Sequence, residues 1–418
     1  MDSLRAHADL GCHVVGSRLN RPGWMGATDR RGRVVVVRGH LTAPWDLRSW
    51  QHLPPCFDVA CLVTGSNKFD LEGIEFEQTR LRTLRDFLPP GRVGDLAAGV
   101  IGDRYFNLDR ALAGADIVHA TELSFWFTAE AARLRPRHGY KLVVTVWETL
   151  PLMATFRNRW ARVYRERVLE TADLFLASTR RARDALLVEG VEPERIEVCY
   201  PGIDVERFGT AAQPASPPKE HVLISPGRLV WEKGHQDVMR AMTALRSGIV
   251  TPPPGAEVRL LIVGSGPEKE RLRAYSEELG LGSAVEFRAV SYDDMPALYA
   301  RSSCMILASL SNARGERYFG DLPHLFWEEQ FGLVLAEAMA AGLPIVASSS
   351  GAIPEVVGPS GEYFVPGDWM GLASRLVEGP LARRPGERVQ HPAELIHRYS
   401  TVAAAERLAA AYDRVLAS

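Results

Sequence analysis

The chain has 418 residues, 46% of them hydrophobic and 24% charged, a composition typical of a globular protein long enough to bury two hydrophobic cores. A formal net charge of -2 provides no overall field that would attract nucleic acid or an anionic membrane. The sequence has no apolar run of about 18 residues and no recognisable signal peptide, and its five cysteines are scattered, so we expect a cytoplasmic protein.

The first predicted strand begins abruptly. Residues 1–32 are rich in Gly and Arg and lack sustained periodicity, so we treat them as an N-terminal arm of unassigned role. Arg33 to Val37 then supplies four consecutive valines, a run typical of a buried parallel strand. Gly39 follows, where a flexible turn would let the backbone approach a ligand.

Further predicted strands alternate with segments of helical periodicity. They lie at Val59 to Val63, Ile117 to His119, Leu142 to Val146, Leu174 to Ala177 and Ile196 to Cys199, and then at Val222 to Ser225, Arg259 to Val263, Val285 to Arg288, Met305 to Ala308 and Ile345 to Ala347. Such alternation predicts βαβ units, and therefore an α/β fold with one parallel, doubly wound sheet in each half.

A stretch rich in Pro, Ala and Ser at 209–220 predicts a linker between two Rossmann-like domains. The N-terminal domain is expected at 33–208 and the C-terminal domain at 221–395. Residues 396–418 are expected to form a helix that packs back on the N-terminal domain. Because ligands bind beyond the carboxyl ends of such sheets, facing domains would form a cleft with a donor on one wall and an acceptor on the other.

Two glutamates lie before and within an apolar helix in the second half. Glu329 and Glu337 stand eight residues apart, about 2.2 helical turns, which places both carboxylates on roughly one side. Free amides at Phe331, Gly332 and Leu333 would bind an anion or hydroxyl group, reinforced by the helix dipole. Taken by itself, such a pair is more often the solvated face of an amphipathic helix.

Two glycine-containing loops follow strands in the same half. Gly227 and Arg228 come directly after the first of these strands, with Lys233 five residues beyond Arg228. Two cations on one loop could neutralise a diphosphate leaving group. Gly264 and Gly266 end the next strand, although the full dinucleotide-binding fingerprint is absent. Either loop alone is more often a surface turn.

In this order and spacing, these elements resemble family 4 of the retaining glycosyltransferases, which have two Rossmann-like domains in the GT-B arrangement. The resemblance covers most of the chain. It includes Tyr200 to Phe208, similar to the family's interdomain crossover, and Ser348 to Val357, similar to its donor-proximal loop. It implies a UDP- or GDP-linked hexose as co-substrate, retention of anomeric configuration, no other cofactor and no metal ion.

The resemblance also implies roles for individual residues. Arg228 and Lys233 would hold the donor diphosphate, Glu337 would bond the ribose hydroxyls, and Glu329 would meet the transferred sugar. The remaining donor-binding candidates are Gly39, Gly227, Gly264, Gly266, Phe331, Gly332 and Leu333.

The first domain departs from the family's pattern. His119 matches the first histidine of a common His-x-His-Glu form, and we weigh a catalytic role for it equally against a buried, locally hydrogen-bonded one. Thr121 replaces the second, sugar-contacting histidine, and Glu122 follows it. Glu148, after Trp147, stands where relatives commonly have a histidine. We keep Glu148 as a catalytic candidate and Thr121, Glu122 and Trp147 as acceptor-side candidates.

Two segments bear on the acceptor. Phe156 to Arg167 interleaves five arginines with aromatic residues, so it could contact anionic lipid on the inner membrane face. The alternative is a solvated helix whose aromatic side chains pack on the core. The long loop from Ser309 to His324 could be a lid or an acceptor gate.

We therefore expect a retaining hexosyltransferase that acts on an acceptor hydroxyl or amine. The acceptor could be a small metabolite, a polysaccharide intermediate or a lipid-linked glycan. Two alternatives stay open: a nucleotide-sugar epimerase with the same two-domain architecture, and a non-catalytic subunit that binds sugar nucleotides, suggested by the missing histidines.

Overall fold

The structure is a computed structural model that describes residues 31–88, 93–94, 97, 104–153, 159–212, 216, 218–311 and 327–418. Nearly all of the N-terminal arm lies outside the described residues, as does most of the loop from Ser309 to His324. The beginning of the arginine-rich segment, at 156–158, is also outside them. None of the helices in the described ranges combines the length and the apolar character needed to cross a bilayer.

Seven parallel strands form the first sheet: β1 (Gly32–Val37), β2 (Phe57–Thr64), β3 (Glu77–Leu81), β4 (Ile117–Thr121), β5 (Lys141–Val146), β6 (Leu174–Ala177) and β7 (Ile196–Val198). Their spatial order is β3-β2-β1-β4-β5-β6-β7. The accompanying helices are α1 (Pro44–Gln51), α2 (Leu108–Ala111), α3 (Trp126–His138), α4 (Arg159–Thr171) and α5 (Arg180–Val188).

Six parallel strands form the second sheet: β8 (His221–Pro226), β9 (Val258–Val263), β10 (Val285–Arg288), β11 (Cys304–Leu307), β12 (Ile345–Ser348) and β13 (Gly361–Phe364). Their order is β10-β9-β8-β11-β12-β13. The helices from here to the C-terminus are α6 (Val205–Gly209), α7 (His235–Arg246), α8 (Lys269–Glu278), α9 (Met295–Ala300), α10 (Leu333–Ala340), α11 (Ile353–Val357), α12 (Trp369–Glu378), α13 (Ala393–Arg398) and α14 (Thr401–Ala417). The predicted pair of doubly wound α/β domains is confirmed.

The valines of β1 show why this chain forms a sheet covered on both faces. Val35 and Val37 belong to one hydrophobic cluster, whereas Val34 and Val36 belong to another on the opposite face. Side chains alternate between the faces of a strand, so a continuous apolar run is what a doubly covered parallel strand requires.

Two strands were missed in the sequence. β3 has the sequence Glu-Gln-Thr-Arg-Leu and is largely exposed, and β13 is a four-residue strand that begins with Gly-Glu. Each is an outermost strand of its sheet. An edge strand is covered less than a central one, so neither segment carries the continuous apolar run by which the central strands were recognised.

The last helix crosses from the second domain to the first. Leu408, Tyr412 and Val415 of α14 join the hydrophobic cluster that contains Val34 and Val36 of β1. The indole Nε1 of Trp50 in α1 donates a hydrogen bond to the Tyr412 hydroxyl over 2.8 Å. The C-terminal segment therefore contributes to the core of the first domain.

The carboxyl ends of the two sheets face each other. Trp147, which follows β5, makes an edge-to-face contact with Phe331 of the second domain at 6.2 Å between ring centroids. Trp45, after β1, stacks on Tyr292, after β10, at 4.9 Å. Ligands of doubly wound sheets bind at these ends, so the candidate site lies between the domains.

Candidate active site between the two domains

An ion pair joins the two best sequence candidates of the second domain. Lys233 ends a short 3-10 turn after β8, and its Nζ donates to Glu329 Oε2 over 2.6 Å. The hydroxyl of Ser309, directly beyond β11, donates to the same oxygen over 2.6 Å. The Lys233 and Glu329 side chains are only 13% and 7% exposed. Burial makes each charge dependent on the other, because an unpaired buried charge is costly.

Lys233 also approaches an aromatic ring. Its Nζ lies 5.2 Å from the ring centroid of Trp327, within the range of a cation–π interaction. The ammonium is therefore held by a carboxylate and an aromatic face. Ser309 was not singled out from the sequence, although its place directly after a central strand was a signal that could have identified it.

Arg228 is the second cation of this loop. Its side chain is exposed, and its guanidinium has no hydrogen-bond or ion-pair partner within the part of the chain that the structure describes. The carbonyl oxygen of Arg228 contacts Nε2 of the buried His235 at 3.2 Å, and His235 Nδ1 lies 2.9 Å from Ser225 Oγ. Burial lowers the pKa of His235 to about 4. A neutral imidazole thus supports the loop, while the guanidinium stays available to an anion.

Glycine allows the two loops of the second domain to touch. A Cβ added at Gly264 would lie 1.9 Å from the carbonyl oxygen of Gly227, and one at Gly266 would lie 2.3 Å from that of Leu229. Both distances are far too short for any other residue. Gly39, in contrast, packs against a ring, because a Cβ there would meet Phe127 at 3.0 Å. Gly264 and Gly266 are therefore required for the close packing of these two loops.

Helix α10 begins at Leu333. Its N-cap residue is Gly332, with φ 78°, a conformation that favours glycine. Phe331 is buried and contacts Tyr399 at 5.3 Å as well as Trp147. Amides in the first turn of a helix have no intrahelical acceptor, so this end of α10 provides donors next to Glu329.

Glu337 lies deeper in α10 and is buried. The Tyr299 hydroxyl donates to its Oε2 over 2.9 Å. Burial raises the pKa of Glu337 to about 7, although the bond from Tyr299 opposes the rise. The structure therefore gives Glu337 an interior partner, and the predicted role at the ribose requires the buried carboxyl to become accessible to the donor.

His119 of β4 is not part of the cleft. It is fully buried, and its two ring nitrogens lie 2.6 Å from the Tyr412 hydroxyl and 2.7 Å from Thr145 Oγ1. Burial lowers its pKa well below the ordinary value, and the charge of Arg38 adds to this effect. The structure therefore favours the interpretation of His119 as a buried, locally hydrogen-bonded residue over the catalytic one.

The acceptor-side candidates gather at the ends of β4 and β5. Thr121 Oγ1 donates to the Thr145 carbonyl over 3.1 Å, and Glu122 accepts from the Trp147 amide over 2.9 Å. Glu148 accepts from the amides of the next two residues, each over 3.1 Å. Glu122 and Glu148 both line a small pocket in the first domain. The structure thus brings Glu122 and Glu148 to one pocket.

Sequence reasoning missed contacts that cross between the domains. Glu328 accepts a charged bond from Arg181 of α5, and Glu355 accepts from the Arg180 amide over 2.6 Å. Neither was recognisable from spacing, because the partners are far apart along the chain.

Within the described ranges, no group of three or more His, Cys, Asp or Glu side chains could hold a metal ion.

Two family models match consecutive parts of the chain. The model described as Glycosyltransferase Family 4 matches residues 57–207, and the model described as Glycosyl transferases group 1 matches residues 208–378. Together they cover well over half of the chain. Their boundary falls between the end of β7 and the start of β8.

Curated relatives share less than a third of their residues with the chain. It is 29% identical, over an alignment of 294 residues, to a D-inositol 3-phosphate glycosyltransferase of Streptomyces bingchenggensis. That match covers 64% of this chain and 60% of that protein. It is 27% identical over 228 residues to a GDP-mannose-dependent alpha-(1-6)-phosphatidylinositol monomannoside mannosyltransferase of Mycolicibacterium smegmatis, 53% of each. The match thus spans at most about 60% of either relative.

Solved structures are similar over both domains. The HepE protein of Anabaena in complex with UDP has a TM-score of 0.65 at 18% identity, covering 92% of this chain and 100% of that one. Sucrose-phosphate synthase from Thermosynechococcus elongatus has a TM-score of 0.65 at 19% identity, covering 93% and 100%. The predicted GT-B fold is confirmed.

Proposed function

We propose that this chain, which belongs to family 4 of the glycosyltransferases, transfers a hexose-type sugar from a UDP- or GDP-linked donor to an acceptor hydroxyl or amine. We propose further that transfer retains the anomeric configuration and needs no metal ion. The observation that carries the proposal is the buried ion pair between Glu329 and Lys233, whose loop also carries the exposed Arg228, a guanidinium without a partner among the described residues.

The two cations support departure of the nucleoside diphosphate. Negative charge grows on the leaving diphosphate as the bond to the sugar breaks, and cations already fixed in place stabilise it without reorganisation. Arg228 offers a planar fork that matches phosphate oxygens, and Lys233 offers a compact ammonium from the same loop. These groups supply the neutralisation for which other enzymes use a divalent ion.

The carboxylate supports the opposite charge. Positive charge grows on the sugar in an oxocarbenium-like transition state, and Glu329 is the carboxylate nearest to the Lys233 ammonium. In the structure, Lys233 and Glu329 neutralise each other. When the diphosphate binds, Lys233 gains a second anionic partner, which leaves Glu329 with more negative charge to direct at the sugar.

The names of the relatives indicate which donor bases and acceptors to test first. The names of the relatives include GDP-mannose as a donor, whereas the HepE protein was solved with UDP, so both bases belong in the first screen. Inositol phosphates belong among the first acceptors tested, because the name of the Streptomyces relative includes one.

One experiment separates this function from the two alternatives. Purified protein is incubated with a panel of UDP- and GDP-linked hexoses, with and without acceptors, and the nucleotides and sugars are separated by chromatography. Glycosyl transfer predicts nucleoside diphosphate release that is accelerated by an acceptor and accompanied by a glycosylated product. An isomerised sugar in the absence of acceptor would indicate an epimerase. Tight nucleotide binding without turnover over every acceptor would indicate a binding subunit.

A further inference from the structure

A two-point ion pair joins the domains next to Glu329. Arg181 lies in the first turn of α5, and its Nη2 donates to Glu328 Oε2 over 2.6 Å while its Nε donates to Oε1. The Glu328 side chain is only 7% exposed. Two parallel bonds between a guanidinium and a carboxylate fix direction as well as distance. This pair is therefore an oriented connection between the first domain and the residue that precedes Glu329.

A second carboxylate holds the same end of α5. Glu355 of α11 accepts from the backbone amides of Arg180, over 2.6 Å, and of Arg181, over 3.2 Å. It also accepts from the Tyr200 hydroxyl over 2.9 Å. Amides at the start of a helix lack intrahelical acceptors, and a negative group there is stabilised by the helix dipole. The second domain thus completes the N-terminus of a first-domain helix.

Both carboxylates belong to one backbone unit with Glu329. The Glu329 amide donates to Ser350 Oγ over 3.2 Å, and its carbonyl accepts from the Ala352 amide over 2.8 Å. A Cβ added at Gly351 would lie 2.1 Å from that carbonyl oxygen, so the two segments are in direct contact. Glu328 reaches α5 while its neighbour Glu329 reaches Lys233. A shift at α5 is therefore transmitted to Glu329 over a single residue.

We propose that Arg181 is a positioning residue for sugar transfer: its bidentate pair with Glu328 holds Glu329 in place only while the first domain is docked on the second. This inference rests on the proposed function for its catalytic consequence. When the domains separate, Glu328 loses its cation and the segment that carries Glu329 relaxes. Glu329 therefore has its productive orientation toward the sugar only while the first domain is docked on the second.

Surface pairs on the same helix provide the contrast. Arg183 pairs with Asp184, and these side chains are 43% and 68% exposed. Exposed pairs of this kind contribute little to structure. In the Arg181–Glu328 pair the arginine side chain is 48% exposed but the carboxylate only 7%, and a buried carboxylate whose cation is removed is left uncompensated. Arg183→Ala is therefore the matched control for Arg181→Ala, because it removes an arginine from the same helix without touching the second domain.

The test combines hydrogen exchange with kinetics on the full chain. We expect Arg181→Ala to increase amide exchange in the segment 327–332 at least about tenfold, and Arg183→Ala to leave it unchanged. For the donor found in the panel, kcat should fall at least about tenfold in Arg181→Ala, because small misplacement of a reacting group is costly. The Kd of the nucleoside diphosphate should stay within about threefold, because Arg181 lies outside the Arg228–Lys233 loop.

The conservative and reversed variants separate positioning from general loss of structure. Arg181→Lys keeps the charge but loses the fork, so its exchange and kcat should lie between wild type and Arg181→Ala. The double variant Arg181→Glu with Glu328→Arg should recover part of the kcat lost in either single variant. Unchanged exchange at 327–332 in Arg181→Ala overturns the inference, whether or not the wild type transfers sugar. Absence of sugar transfer by the wild type contradicts the proposed function alone.

Discussion

Lys233 Nζ and Glu329 Oε2 lie 2.6 Å apart, although their residues are separated by 96 positions in the chain. Lys233 follows a strand of the second sheet, and Glu329 precedes α10. Both side chains are largely buried, so the pair contributes to the packing of the second domain as well as to the proposed chemistry. Substitutions at either position should therefore change stability and turnover together, and the two effects can be measured separately.

The first prediction concerns Lys233. Lys233→Ala removes the cation that pairs with the buried Glu329 carboxylate and leaves the hydrogen bond from the Ser309 hydroxyl. We expect a loss of about 3 kcal/mol in the free energy of unfolding. Donor affinity should also fall, because one of two phosphate-binding cations is missing. Urea unfolding and calorimetric titration with the nucleoside diphosphate measure the two effects. Lys219→Ala removes an exposed lysine and is the control; equal behaviour of the two variants would contradict the assignment.

The second prediction concerns the carboxyl of Glu337, whose pKa burial raises to about 7. Between the ordinary pKa near 4.5 and the raised one, the unfolded chain has released this proton and the folded chain has not. Glu337 therefore makes the free energy of unfolding fall as pH rises through this window, by up to about 3 kcal/mol. Glu337→Gln should remove that dependence, as measured by urea unfolding at pH 5 and pH 8. The exposed-site variant Glu277→Gln should keep the wild-type difference.

The third prediction concerns the contact between the two glycine loops. An alanine at Gly264 would place its Cβ 1.9 Å from the Gly227 carbonyl oxygen, so Gly264→Ala should push Arg228 out of place. We expect a loss of about 3 kcal/mol in stability and at least about tenfold weaker binding of the nucleoside diphosphate. Gly280 also has a positive φ but nothing within 4 Å of an added Cβ. Gly280→Ala should cost about 1 kcal/mol and leave nucleotide binding unchanged. Binding of the nucleoside diphosphate by Gly264→Ala as tightly as by wild type would contradict the proposed effect of this loop contact on Arg228.

The fourth prediction concerns His119. The ring is buried and its pKa lies well below the ordinary 6.5, so the unfolded chain takes up a proton below that pH that the folded chain does not. Stability is therefore lost as pH falls through 6.5, and His119→Gln should lose less between pH 7 and pH 5 than wild type does. It should unfold more easily at pH 7, because the bonds to Tyr412 and Thr145 change. Its kcat should stay within about threefold of wild type; a large drop in kcat would return His119 to the reaction.

The sequence was most informative where burial is uniform. The fully buried strand Leu174–Ala177 has the bounds that its apolar run predicted, whereas the largely exposed β3 and the short β13 were missed. The loop with Gly227, Arg228 and Lys233 was recognisable as a candidate for donor binding because these residues are close together in the chain. Local pattern carries this information, since hydrophobic periodicity and turn chemistry act over a few residues.

Contacts between distant segments were not predictable in the same way. Nothing near His119 in the sequence indicates that Tyr412 covers it, because α14 returns to the first domain only in the folded chain. Likewise, the Arg181–Glu328 pair depends on how the two sheets dock. The motif around Glu329 identified the donor-site candidates, but only the tertiary structure relates them to the first domain.

The most direct test of the proposed function is the initial rate of sugar transfer by Glu329→Gln, with the donor and acceptor identified in the panel. Removing a carboxylate that stabilises charge in the transition state should lower kcat about 100-fold or more, while the Kd of the nucleoside diphosphate stays within about threefold. Glu277→Gln should transfer at the wild-type rate. A Glu329→Gln enzyme that transfers sugar as fast as wild type would contradict the account.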